Sequence, residues 1–292
     1  MVQVWVLIAL VSAGGDALRD LAAKRVLTRE NSLLFTWLIF ALPLPAIYGA
    51  DYLYGVPKPA PGFYTTLFTA LPLEILAQIL YMQALRLSPL SIVAPLLSLS
   101  PVFMLAVPFL LIGERISLPA GIGVLLIASG AYVLNVGAVK RGLLEPFKAL
   151  LRQRGAVYMC LVALLFSFTA TLSKKAIMLA TPLHYMAVYW TGIVFGMAPL
   201  IFFFYRGKWR ETIQDGVVRK ALLPALLFVT AVFAAAYAMS ITKVTYVTTV
   251  KRLSVLFSIL LAGTVLKEES IRERFAGGTL MVIGFGLIVL FG

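Results

Sequence analysis

The chain has 292 residues, of which 61% are hydrophobic and only 13% are charged, and this composition excludes an ordinary soluble domain. A net charge of +13 would suggest nucleic acid in a soluble protein, but most Lys and Arg here fall in short segments between apolar runs, where anionic membrane lipid is the expected partner. One cysteine and one histidine exclude a thiolate or histidine metal cluster and a catalytic dyad, so we expect no metal, no cofactor and no enzymatic activity. Because the basic residues fit lipid headgroups, we also expect no nucleic-acid partner.

Apolar stretches separated by short polar breaks predict ten transmembrane helices, because each stretch has nearly or fully the ~20 residues that cross a bilayer. In chain order the predicted helices are Val2–Ala23, Leu33–Ala50, Gly62–Leu85, Ser88–Gly113, Leu118–Val139, Gly155–Lys175, Pro182–Tyr205, Val217–Ser240, Lys243–Leu266 and Phe275–Gly292. The runs are continuously apolar rather than alternating, which excludes a membrane β-barrel. The predicted fold class is therefore an all-α integral membrane protein.

A weak internal repeat divides the chain. An offset of 154 residues aligns Ser100 with Ser254, Glu114 with Glu268, Gly123 with Gly277 and Gly130 with Gly284. Five helices per unit is an odd number, so the second unit enters the membrane in the opposite sense and the two form an inverted repeat. We assign residues 1–139 to the first five-helix repeat, 140–154 to a basic connecting loop and 155–292 to the second repeat.

Short motifs within or just after the predicted fourth and ninth helices resemble those of a known family. They are Pro101-Val-Phe, Gly113-Glu114-Arg115 and Lys267-Glu268-Glu269, with the repeated glycines that follow. With them the chain resembles EamA-type members of the drug/metabolite transporter superfamily. The resemblance implies a secondary transporter of the cell (inner) membrane that moves a small molecule by alternating access.

Lys251 and Arg252 stand side by side in the middle of the predicted ninth helix. A cation at the bilayer centre costs about 2.5–3.5 kcal/mol, so such a pair indicates a functional site. Thr245, Thr248 and Thr249 follow the helical spacing that puts them on the face of Arg252. Hydroxyls, a guanidinium and an ammonium suit phosphate or carboxylate oxygens. The alternative is that both cations pair permanently with an acid inside the membrane and only hold helices together.

The segment around this pair is also similar to the ninth helix of the plastid phosphate translocators, in which adjacent Lys and Arg bind the substrate phosphate. The resemblance implies that role for Lys251 and Arg252. Those translocators use a further lysine on the fourth helix, whereas Ser88–Gly113 has no charge here. The offset of 154 places the uncharged Leu97 and Ser98 opposite the pair, which makes Ser98 a candidate contact.

Glu74, Gln78 and Tyr81 share one face of the predicted third helix. Glu74 has three candidate roles: it neutralises Lys251 or Arg252 in the empty site, contacts a substrate ammonium, or takes up a proton. The alternative is a fixed salt bridge between helices.

Other polar groups give weaker indications. If the sixth helix faces the cavity, Lys174 on it would replace the missing fourth-helix lysine. The alternative is that Lys174, like Asp16 and Arg19 on the first helix, lies near a helix end, where charges usually pair along the helix or extend to the membrane interface. Tyr237 on the eighth helix would close over a substrate, or else pack against neighbouring helices.

Glycines repeat along the predicted fifth and tenth helices, at Gly123, Gly130, Gly277 and Gly284. Such small-residue seams allow close helix packing, which we expect inside each repeat. The alternative use of the seam is a homodimer interface.

The leading functional prediction is exchange or export of a small organic anion, such as a phosphorylated or carboxylated metabolite. A proton-coupled exporter of amino acids or amphipathic metabolites is the first alternative, with Glu74 as the coupling acid. A membrane-embedded enzyme acting on lipid phosphate and a non-transporting scaffold are the alternatives of other classes.

Overall fold

The computed structural model describes residues 4–24, 32–88, 90–137, 147–148, 152–204, 216–257 and 275–292. Its helices are α1 (Val4–Lys24), α2 (Ser32–Ala41), α3 (Leu44–Leu53), α4 (Phe63–Leu87), α5 (Leu90–Leu97), α6 (Ser100–Ile112), α7 (Leu118–Gly137), α8 (Arg154–Leu179), α9 (Pro182–Phe204), α10 (Val217–Ile241), α11 (Val244–Lys251) and α12 (Phe275–Phe291). The described ranges contain no strand, and six helical stretches are long and apolar enough to cross a membrane. The prediction of an all-α membrane protein is confirmed.

Three of the predicted helices contain interruptions that the apolar pattern does not show. The second divides into α2 and α3 at Leu42 and Pro43, and the fourth divides into α5 and α6 at Ser98 and Leu99. Each new helix has a proline in its first turn, Pro45 in α3 and Pro101 in α6. Proline is tolerated there because the first backbone N–H groups of a helix have no intrahelical partner.

The ninth helix is interrupted at Arg252, without a proline. α11 ends at Lys251, and residues 253–257 are helical again; the rest of the predicted span lies outside the described residues. The Arg252 N–H donates to the Thr249 carbonyl at 3.0 Å, and the Ser98 N–H donates to the Pro95 carbonyl at 3.1 Å. Both are tight three-residue turns, and the offset of 154 relates one to the other. The fourth and ninth helices are therefore interrupted at corresponding positions.

The long helices pack in three pairs, α1 with α10, α4 with α8 and α7 with α12. In the last pair a Cβ at Gly123 would lie 2.6 Å from the Gly284 oxygen, and a Cβ at Gly130 would lie 2.5 Å from the Gly277 oxygen. Because the order of contacts is reversed along the two helices, α7 and α12 run antiparallel. The expectation that these glycines pack inside each predicted repeat is wrong, because they join the two halves of one chain.

A small residue also sets the position of α1. A Cβ at Gly15 would lie 3.0 Å from the Ala231 Cβ of α10, which presents a face of buried alanines to its neighbours. Small side chains let two helix backbones approach closely. This contact fixes α1 beside α10 at the turn that contains Asp16.

Candidate functional site

An ion pair connects α1 to the interruption of the ninth helix. The Lys251 Nζ lies 3.2 Å from the Asp16 Oδ2, and the other carboxylate oxygen of Asp16 lies 3.1 Å from the Arg19 Nη1. Asp16 is buried, so its two oxygens are satisfied by two cations rather than by water. We call Asp16, Lys251, Arg252 and Ser100 the ion-pair site.

Arg252 has a different environment from its neighbour. Its guanidinium donates to the hydroxyl of Ser100, the first residue of α6, and Asp16 and Tyr81 lie close enough to interact with its charge. Within the described part of the chain no carboxylate lies at salt-bridge distance from it. A guanidinium has five N–H donors, so most of those of Arg252 are open to a further acceptor.

The predicted threonine face is largely engaged with the backbone in this conformation. Thr245 donates to the Met104 carbonyl of α6 at 2.8 Å, and Thr248 donates to the Val244 carbonyl at 2.8 Å. Thr249 is fully buried, and its hydroxyl has no hydrogen-bond partner among the described residues. Contact between these hydroxyls and a substrate stays a prediction.

Glu74 belongs to a second polar cluster on α4, α8 and α9. It accepts a hydrogen bond from Gln78 at 3.0 Å, and Thr169 and Tyr189 lie close enough to interact with its carboxylate. Close packing of α4 on α9 brings these groups together, because two glycines of α9 face α4: a Cβ at Gly192 would lie 2.6 Å from the Leu71 side chain, and Gly196 is similar. Lys251 is paired with Asp16, so the prediction that Glu74 neutralises it is wrong for this conformation.

Tyr81 lies on the same helix as Glu74 but faces the group around Lys251 and Arg252. It lies seven residues beyond Glu74, and its phenol is close enough to interact with the charges of Arg19, Asp20 and Arg252. The structure therefore brings Tyr81 to the cations, whereas Glu74 and Gln78 lie in the other cluster.

Lys174 lies in neither cluster. Its ammonium is buried and donates to the Met239 carbonyl and, at 2.8 Å, to the Thr242 carbonyl, where α10 ends. Glu114 accepts a hydrogen bond from the Val244 N–H at 3.1 Å, where α11 begins. The two side chains thus satisfy opposite helix ends at one turn, as is typical of helix capping. Burial raises the pKa of Glu114, and the charge of Lys174 opposes this effect.

Ser98 and Tyr237 are the remaining residues that the sequence predicted as substrate contacts. Ser98 is buried at the interruption between α5 and α6. Tyr237 is half-exposed on α10, and its ring stacks on that of Phe233 at 6.3 Å. Sequence reasoning did not identify Asp16 or Ser100 as partners of the two cations. For Ser100 the one indication of a role was its alignment with Ser254 in the internal repeat. For Asp16, nothing in the neighbouring sequence indicated that it pairs with Lys251.

The comparisons with known proteins agree with this architecture. The EamA-like transporter family matches the chain twice, over residues 3–136 and 153–290. A protein of Sinorhizobium sp, named as an uncharacterized transporter in the cobO 3' region, is 34% identical over 141 residues, which are 47% of this chain and 99% of that relative. A solved crystal structure superposes with a TM-score of 0.74 at 18% identity, over 98% of this chain and 96% of the other, and this likeness shows the fold alone. The chain belongs to the EamA-like transporter family and is an integral membrane transporter of small molecules, not an enzyme.

Proposed function

We propose that this transporter exchanges or exports a small organic anion by alternating access, and that Arg252 holds the anionic group, with the Lys251–Asp16 ion pair beside it. The observation that carries the proposal is the position of Arg252. Its guanidinium lies at the interruption of the ninth helix, bonded to one neutral hydroxyl, with donors left for another acceptor. Discontinuous helices commonly form the substrate site of secondary transporters.

The proposed frame is ten transmembrane helices in two inverted five-helix repeats. Three observations support it. The family matches the two halves separately. The offset of 154 converts the pair α4–α8 into α10–α1, and both pairs pack closely. The same offset converts Gly123 into Gly277 and Gly130 into Gly284, while the contacts run from Gly123 to Gly284 and from Gly130 to Gly277. That crossed pattern is expected for equivalent helices related by a two-fold axis in the membrane plane.

Three features of the site favour an anion. Guanidinium and ammonium groups donate only, and Arg meets a carboxylate or phosphate with two parallel hydrogen bonds. Ser100 begins α6, so the partially positive end of that helix also lies at Arg252. The Lys-Arg pair itself resembles that of the phosphate translocators.

The test is exchange in liposomes. Purified protein is reconstituted into vesicles loaded with unlabelled carboxylates and phosphate esters, and uptake of each labelled anion is measured. Arg252→Gln and Lys251→Gln should each lose exchange. The first loses the anchor of the anion, and the second removes the ammonium that offsets the Asp16 carboxylate beside it. Lys220→Gln is the matched control, since Lys220 is exposed on α10 and should not matter. Undiminished exchange in both site variants, with folded protein, would refute the proposal.

The buried Glu74 cluster favours a second candidate, a proton-coupled exporter. The Glu74 carboxyl is surrounded by Gln78, Thr169 and Tyr189 and lies apart from the cations among the described residues, so it can take up a proton during transport. Glu74→Gln should then abolish the effect of a pH gradient on uptake. Thr69→Ala is the control, because Thr69 is exposed on the same helix and its hydroxyl bonds within α4. A variant that still accumulates substrate in response to the gradient removes Glu74 from the mechanism.

A further inference from the structure

The charges around the interruption of the ninth helix do not balance. Arg19 on α1 and Lys251 and Arg252 on the ninth helix are the cations, and Asp16 and Asp20 on α1 are the carboxylates. Tyr81 on α4 and Ser100 on α6 are the neutral polar groups that face them. Three cations and two carboxylates leave one net positive charge among the described residues.

The unbalanced charge can be assigned to one side chain. Arg19 lies 2.7 Å from Asp20, whose side chain is 55% exposed, and this pair forms the outer part of the group. Lys251 is offset by Asp16, whose side chain is only 12% exposed. Among the residues that the structure describes, Arg252 bonds only to the neutral Ser100 hydroxyl. The site therefore offers one uncompensated charge to a ligand, although two cations stand side by side.

We infer that Asp16 limits the substrate to a single negative charge, so that the ligand is an organic monoanion, in the first place a monocarboxylate, rather than a dianionic phosphate ester or dicarboxylate. This inference rests on the proposed function. A monoanion makes the occupied site neutral, whereas a dianion leaves it with a net negative charge. Alternating access requires the loaded site to be closed off from water, where an uncompensated charge is costly.

Removing the charge of Asp16 should change this selectivity. Asp16→Asn keeps the shape of the side chain and releases Lys251, so the site carries two uncompensated positive charges and favours dianions. A unit charge within the site should change the ratio of dianion to monoanion transport by about tenfold or more. Asp20→Asn is the matched control on the same helix. Because Asp20 is exposed and belongs to the outer pair, its substitution should leave the ratio nearly unchanged.

A double variant separates charge balance from damage to the fold. Asp16→Asn with Lys251→Gln removes both members of the buried ion pair, so Arg252 again supplies one uncompensated charge. We expect this variant to prefer monoanions as the native chain does, although the Lys251→Gln variant alone loses exchange. It also lacks an unpaired, partly buried lysine, which makes it the more robust variant if Asp16→Asn does not fold.

The experiment measures kcat/KM in proteoliposomes for anion pairs with similar skeletons, gluconate with glucarate and glycerate with glycerol 3-phosphate. The native chain and the double variant should prefer the monoanion of each pair, and Asp16→Asn should prefer the dianion. A native preference for dianions, or the same ratio in folded Asp16→Asn as in the native chain, would overturn the inference and leave anion transport standing. A double variant that folds but prefers dianions would overturn it equally. If neither the pairs nor the wider panel of anions is transported, the proposed function itself fails.

Discussion

The contact between α7 and α12 gives a stability prediction that follows directly from geometry. In Gly130→Ala the new Cβ would lie 2.5 Å from the Gly277 oxygen and 3.0 Å from the Met281 nitrogen, both backbone atoms that cannot rotate away. The helices must separate by roughly 1 Å to restore ordinary contact. Overpacking of this kind costs about 1–3 kcal/mol, so we expect a loss near 2 kcal/mol and a melting temperature lower by about 5 °C.

The assay is thermal unfolding of purified protein in one detergent, followed by tryptophan fluorescence. Gly121→Ala is the matched control on α7, because its Cβ would meet only the tip of the Ile116 side chain at 3.6 Å. Gly286→Ala is the control on α12, where nothing lies within 4 Å. Both controls should stay within about 0.5 kcal/mol of the native chain. Equal melting temperatures for Gly130→Ala and Gly121→Ala would refute the close approach of the two helices.

Two further predictions concern the other polar groups. Burial raises the pKa of Glu114, so the native state holds this proton more tightly than the unfolded chain does. Stability therefore falls as pH rises from the ordinary glutamate pKa through the raised one. Glu114→Gln should make the melting temperature less dependent on pH over that interval, and an unchanged pH profile would contradict this. In Thr245→Val the free energy of unfolding in detergent should fall by about 1 kcal/mol, because the Met104 carbonyl loses its donor. Thr249→Val should be neutral or stabilising, because the Thr249 hydroxyl has no partner among the described residues to lose. The opposite order of stabilities would show that the two hydroxyls are wrongly placed.

The sequence predicted where helices lie better than where they are interrupted. Ser98 lies in an apolar run, and the run around Lys251 and Arg252 resumes directly after them, so nothing in the pattern indicated that a helix ends at either place. The positions of the prolines did not predict the interruptions either. Pro72 and Pro108 lie inside uninterrupted helices, while the interruption at Arg252 contains no proline. Such interruptions depend on tertiary contacts that satisfy the released backbone groups, and these contacts are not local in sequence.

The candidate site was predicted in part, for a similar reason. The depth of Lys251 and Arg252 in an apolar run was enough to select them as functional residues. Their partners come from α1 and α6, far away in sequence, and Asp16 looked like an ordinary charge near a helix end. Glu74 was the acid expected opposite the cations because it lies in the middle of its helix. Packing of α1 on α10 and α11 instead brings Asp16 to Lys251.

The central claim is that Arg252 holds the anionic group of the substrate, and ligand-induced stabilisation tests it most directly. A ligand that binds only the folded state stabilises it by an amount that grows with the logarithm of its concentration relative to Kd, so the melting temperature rises as ligand is added. The best anion from the exchange panel is added at increasing concentration to the native chain, to Arg252→Gln and to the exposed-lysine control Lys220→Gln. We predict a concentration-dependent rise for the native chain and the control, and none for Arg252→Gln. An undiminished rise in folded Arg252→Gln would contradict the account.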